Sequence, residues 1–160
     1  MNRAEYLRSV GLEADETCVV AGIAARLNPV KDIATLIRGF AKAHRAFPAL
    51  RLLIAGDGEE MANLKQLAAD LGVAKEVCFA GWISDTDSFY NALDINTLTS
   101  ISETFPYALT EGARAGLPTI SSKVGGVSYL IDHGSNGFLF PPGEDQALAD
   151  HLLTLARDPD

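Results

Sequence analysis

Cysteine, tryptophan and basic charge are all scarce in this chain. Two cysteines in 160 residues, Cys18 and Cys78, make no disulfide framework. Both sit in apolar runs, as small buried hydrophobes do, and not in a metal-ligand pattern. Thirteen lysines and arginines against 21 acids leave a net charge of −8. That argues against a duplex nucleic-acid partner, which calls for a basic face, and against an anionic membrane surface as the main partner of this segment. No apolar run reaches the ~18 residues of a membrane span, and no secretory leader is visible, so a cytoplasmic location is the expectation. There is no internal repeat and no low-complexity tract. The glycines after the second strand-like run lack the Lys and Ser/Thr of a Walker loop, and no dinucleotide glycine fingerprint follows the first run.

What remains is the pattern of one globular domain, 48% hydrophobic and 21% charged. Short runs, continuously apolar at their centres, mark strands at Cys18 to Ala24, Arg51 to Ala55, Val77 to Ala80, Ile95 to Thr99, Thr119 to Ser121 and Gly137 to Phe140. A polar lead-in holds a short helix at Ala4 to Val10. Between the strands, Ile33, Leu36, Ile37, Phe40 and Phe47 recur at helical spacing before Pro48. Met61, Leu64, Leu67, Ala68 and Leu71 mark a second helix, with Gly72 as its C-cap. Asp85 or Asp87 caps a third carrying Phe89 and Leu93. Further helices are expected at Tyr107 to Ala115, Val127 to Asp132 and Asp145 to Arg157. This alternation implies right-handed crossovers and an α/β fold: an open parallel sheet of about six strands with helices on both faces. Ligands of such sheets bind at the carboxyl ends of the strands.

Each strand exit has a candidate group. After the first come Arg26 and Lys31, a planar fork and a compact charge able to hold a diphosphate; ordinary solvated loop charges are the competing reading. After the second come Gly56, Asp57 and Gly58, either a close approach to a ligand or a turn with Asp57 as helix cap. Trp82 and Ile83 follow the third, where an indole could pack on a nucleobase or serve the core. Lys123 to Gly126 form another glycine-rich turn. The sharpest signal is Glu103 and Glu111, which frame a helix start between a strand and the next helix. Free backbone N–H groups there seat an anion, with a carboxylate on either side for hydroxyls. That arrangement suits a sugar nucleotide. His44, His133 and His151 lie on or beside helices and read as surface residues.

These residues carry a family likeness. Ala21 to Leu27, Leu53 to Gly58, Val77 to Gly81, Ala115 to Pro118, Val124 to Gly126 and Asn136 to Gly143, with Glu103 and Glu111 at their separation, together span nearly the whole chain. The sequence resembles the C-terminal, donor-binding half of family 4 (group 1) retaining glycosyltransferases. The resemblance implies a Rossmann-like domain forming one half of the GT-B architecture. Arg26 and Lys31 would hold the donor diphosphate and neutralise the leaving group. Glu103 would contact the transferred sugar, making Glu103, Arg26 and Lys31 the catalytic set. Glu111 would take the ribose hydroxyls, with Leu109 and Thr110 near ribose and diphosphate. Phe105, Pro106, Tyr107 and Ala108 would line the donor site, backbone N–H groups around Tyr107 to Leu109 reaching sugar or phosphate. Gly56, Asp57 and Gly58 would approach the donor, and Trp82 and Ile83 would border its base. The donor would be a UDP-, GDP- or ADP-sugar, with no cofactor and no required metal.

The sequence departs from the family pattern at Pro106, which removes one N–H and fits a first helical turn, and at Ala25, where the family has glycine. The resemblance also implies an N-terminal acceptor-binding domain absent from this chain, through which any peripheral membrane contact would run. The isolated domain is therefore expected to be inactive. A stand-alone nucleotide-binding regulatory module and half of a GT-B-like sugar-nucleotide epimerase remain open.

Overall fold

A computed structural model describes residues 2–102, 116–124 and 137–157. Six parallel strands form one sheet: β1 (Val19–Ala24), β2 (Leu50–Ala55), β3 (Val77–Gly81), β4 (Ile95–Leu98), β5 (Thr119–Ser122) and β6 (Gly137–Phe140). Their spatial order is β3-β2-β1-β4-β5-β6, the doubly wound order of a Rossmann-like sheet, whose direction of travel reverses between β1 and β4. Helices α1 (Arg3–Val10), α2 (Ile33–Ala46), α3 (Met61–Asp70), α4 (Thr86–Asn91) and α5 (Asp145–Arg157) cover it. The helices expected at 107–115 and 127–132 lie outside the described residues.

The pleat explains how one strand feeds two cores. Successive side chains point to opposite faces. In β2, Leu50, Leu52 and Ile54 join α2, α3 and α5, while Leu53 and Ala55 join α1 and α4. On the first face Leu36, Ile37 and Phe40 of α2 and Leu148 and Leu152 of α5 are fully buried. Gly39 lets α2 and α5 meet closely: a Cβ there would lie 2.9 Å from Leu148 Cδ2. Asp145 ties the pair, taking Lys42 Nζ at 2.6 Å and Arg38 Nε at 3.5 Å. On the second face α1 is clamped to the sheet through Asp94. One carboxylate oxygen accepts from Arg3 and the other from the Val20 N–H, both at 2.8 Å.

Several local expectations change. Phe47 caps α2 with φ −139° and is not part of its helical stripe. Gly72, at φ +77°, follows the true C-cap Leu71. Asp57 does not cap α3; its carboxylate accepts the Gly58 N–H at 2.8 Å, and Glu60 holds the N-cap position without a side-chain bond. Asp85, and not Asp87, caps α4. Cys18 lies just before β1, and Cys78 donates its thiol to the Val10 carbonyl at 3.1 Å. Both thiols are free, and burial pushes that of Cys78 up. His44 and His151 are half-buried: His151 stacks on Phe138 at 4.7 Å, and His44 packs beside Phe40. The largest correction concerns β4 and β5. Both are wholly buried yet polar, with Asn96, Thr97, Thr119, Ser121 and Ser122 all at or below 3% exposure.

Two predictions follow from this packing. Gly56 has φ +135°, and a Cβ would fall 1.8 Å from the Ala25 carbonyl oxygen, whereas Gly11, at φ +87°, faces open space. Gly56→Ala is expected to cost roughly 3 kcal/mol or more by denaturant unfolding, against about 1 kcal/mol for Gly11→Ala; equal costs would refute the steric account. Hydrogen bonds from the Ser88 hydroxyl and N–H hold the Asp85 carboxyl below its ordinary value. A depressed folded pKa gives stability that is present above the unfolded value of about 3.9 and lost as the pH falls through the folded one. Between about pH 4 and pH 2 the wild type should therefore lose melting temperature more steeply than Asp85→Asn. Parallel profiles would show that the cap contributes nothing to acid sensitivity.

Candidate functional site at the carboxyl edge of the sheet

The site begins where β1 and β4 part. Their register covers only Ala21↔Ile95 and Gly22↔Asn96. The Thr97 hydroxyl then donates to the Gly22 carbonyl at 2.8 Å in place of a ladder bond. Beyond it lies the reversal of strand order, where a sheet of this kind has its ligand crevice.

On the β1 side the exit loop is zipped to its neighbour. The Ala25 N–H donates to Ala55 and the Leu27 N–H to Asp57, both at 3.0 Å, and the Glu60 N–H returns to the Leu27 carbonyl at 2.9 Å. The Gly56 N–H extends the zip to Gly81 at 2.7 Å. Alternation along this short stretch sends Leu27 fully into the core and leaves Arg26 exposed. Among the described residues the Arg26 guanidinium has no hydrogen-bond or ion-pair partner. A single 3₁₀ turn, Pro29–Lys31, then carries Lys31, half-buried. Asn28 starts this turn, its side chain accepting the Lys31 N–H at 3.2 Å. Asp32 ends it at φ +46°, the only non-glycine positive φ among the described residues. Asp tolerates this left-handed state better than most side chains. Its carboxylate takes the Thr35 hydroxyl at 2.6 Å and gives α2 no side-chain cap. The amino end of α2 therefore follows directly on Lys31, and its dipole adds to the same positive field.

The β4 side grips that turn from across the crevice. The Thr99 hydroxyl donates to the Lys31 carbonyl at 2.8 Å, and the Ile101 N–H donates to Val30 at 2.9 Å. The Ser122 hydroxyl donates to the Ser100 carbonyl at 2.6 Å and ties β5 to the same point. Sequence reasoning missed Thr99, Ser100 and Ser122. The available signal was a Thr-Ser pair at the end of a strand with no exposed face.

Arg26, Lys31, Gly56, Asp57, Gly58, Trp82 and Ile83 all lie at this one edge. Trp82 is 77% exposed past β3, the outermost strand on that side. Ile83 instead packs its side chain against the core of α1 and α4. Glu103, Phe105, Pro106, Tyr107, Ala108, Leu109, Thr110 and Glu111 lie outside the described residues, as do Gly125 and Gly126. Among the described residues no three acidic, histidine or cysteine side chains converge as a metal site, and no helix is long and apolar enough to cross a membrane. Chemically, among the described residues the edge offers a guanidinium without a partner, an ammonium on a braced turn, and a helix amino end. That set suits an anion.

Comparison with known proteins agrees with the geometry. Residues 9–160 match the family model for glycosyl transferases group 1. The lipopolysaccharide core biosynthesis glycosyltransferase LpsE of Rhizobium meliloti is 34% identical over 128 residues, covering 80% of this chain and 36% of that protein. The chain thus spans about a third of the length of the curated relatives it matches. The structure superposes on Anabaena Alr3699/HepE in complex with UDP-glucose with a TM-score of 0.88 and 31% identity, covering 98% of this chain and 43% of that one. It also superposes on the C-terminal domain of a group 1 glycosyl transferase (LpcC) from Francisella tularensis, with a TM-score of 0.86 and 25% identity, covering 98% of this chain and 83% of that one.

Proposed function

The chain belongs to the group 1 glycosyl transferases, and on that premise we propose that it is the nucleotide-sugar donor-binding domain of a retaining transferase. The full enzyme would move a hexose-type sugar from an NDP-sugar to a glycan, lipid or other acceptor. The single observation that carries this reading is Arg26, exposed and without a partner among the described residues, on a loop zipped at both of its neighbours at the reversal point of the sheet. Backbone bonds at Ala25 and Leu27 fix the point from which the Arg26 side chain leaves, so no loop has to order when it closes on a diphosphate. Lys31 supplies a second charge from the braced turn. As the glycosidic bond to the donor phosphate breaks, negative charge grows on the leaving diphosphate, and two fixed cations lower that barrier.

The remaining assignments complete the donor site. Glu103 contacts the transferred sugar and Glu111 accepts from the ribose hydroxyls. Phe105 to Thr110 lie along sugar, phosphate and ribose. Because Ile83 is packed against the core, the face offered to the base is the Trp82 indole together with backbone at Ile83. The Alr3699/HepE complex with UDP-glucose favours a UDP-sugar among the three donor classes. The acceptor side of the cleft belongs to an N-terminal domain outside these 160 residues, so this chain binds donor without turnover.

Calorimetric titration of this chain with UDP, GDP, ADP and their sugars tests the reading. A UDP ligand is expected to bind and to raise the melting temperature. Arg26→Ala and Lys31→Ala should each raise Kd about tenfold, the scale of a hydrogen bond to a charged group. A folded chain that answers to no nucleotide, or two variants that bind as the wild type does, would overturn it.

A further inference from the structure

The turn that carries Lys31 is fixed less by its own strand than by the far side of the crevice. Two of its carbonyls, Val30 and Lys31, accept from Ile101 and Thr99 past the end of β4. Thr99 is fully buried, so its hydroxyl bond is shielded from water. The segment behind it is anchored in turn, because Ser100, also fully buried, accepts from Ser122 of β5. A brace therefore runs from β5 through the end of β4 to the backbone of Lys31, while the Lys31 side chain leaves from the same residue. We propose that Thr99 is a positioning residue for the donor diphosphate. It sets the backbone of Lys31 so that the ammonium is presented to phosphate without a loop having to order on binding. This rests on the reading of Lys31 as a phosphate-holding group.

The test is a double-mutant cycle on this chain, with UDP as the probe and Kd as the readout. Thr99→Val keeps shape and removes the donor; it should weaken UDP about fivefold, the scale of one net hydrogen bond. Thr99→Ser keeps the hydroxyl and should restore wild-type affinity. In the Lys31→Ala background Thr99→Val should cause no further loss, because there is no ammonium left to place. An unchanged Kd in Thr99→Val, or the same loss in both backgrounds, would overturn the proposal by showing an idle or purely structural residue. A Lys31→Ala variant that binds UDP normally would overturn the underlying reading instead, and does so without reference to Thr99. Should Thr99→Val not fold, Ser122→Ala runs through the same cycle one bond further back. A loss that vanishes without Lys31 supports the brace, and a loss that persists, or none at all, rejects it.

Discussion

Two backbones touch at the carboxyl edge of this sheet with no room for a side chain between them. A Cβ at Gly56 would lie 1.8 Å from the Ala25 carbonyl oxygen, and one at Gly58 would lie 2.5 Å from that of Leu27. The glycines are needed twice over, because both also have positive φ. Their absence of side chains lets the loop after β1 continue the ladder beyond the end of the strands. Once that ladder exists, alternation decides the rest: Leu27 must enter the core and Arg26 must leave it. The exposure of the guanidinium is thus a consequence of sterics two strands wide.

The two halves of the sheet are built from different materials. β1 and β2 are apolar and are held by large side chains from α1, α2, α3 and α4. β4 and β5 are buried but rich in small polar side chains, and hydroxyls on them and just past the end of β4 bond to backbone carbonyls at Gly22, Lys31 and Ser100. A buried hydroxyl without a partner costs free energy, so each of these bonds is close to obligatory once the strand is inside. An apolar strand could pack as well, but it could not hold the ends of loops. The polar half exchanges some hydrophobic burial for control of where the crevice loops sit.

The sheet could be read from sequence because its signals are local. Most of its strands are short runs with apolar centres, and those expected at Arg51, Val77 and Gly137 each start within a residue of the observed element, as does the polar β5 at Thr119. α5 was legible to the residue from its period. The brace was not, because its bonds join positions 68 and 22 residues apart, far outside any window over which a pattern can be read. Asp57 misled for a related reason. Asp after Gly before a helix looks like a cap, but the zip between the loops turns the segment so that its carboxylate reaches only the next N–H. At the crevice, sequence showed which residue types reach the edge; the bonds across it decide which way they face.

Net charge sharpens what the edge has to do. The chain carries −8, and Asp57, Glu59 and Glu60 follow β2 beside the very loop that holds Arg26. A dianion approaching from solvent gains nothing from the long-range field, which is largely screened beyond about 10 Å at ordinary ionic strength. Whatever holds such a ligand must act at contact distance. That favours cations whose backbone is fixed before the ligand arrives. In a basic protein loose lysines could collect phosphate by attraction alone. In an acidic one a phosphate site depends on geometry, and residues 25–31 are where backbone bonds from both neighbouring exits converge.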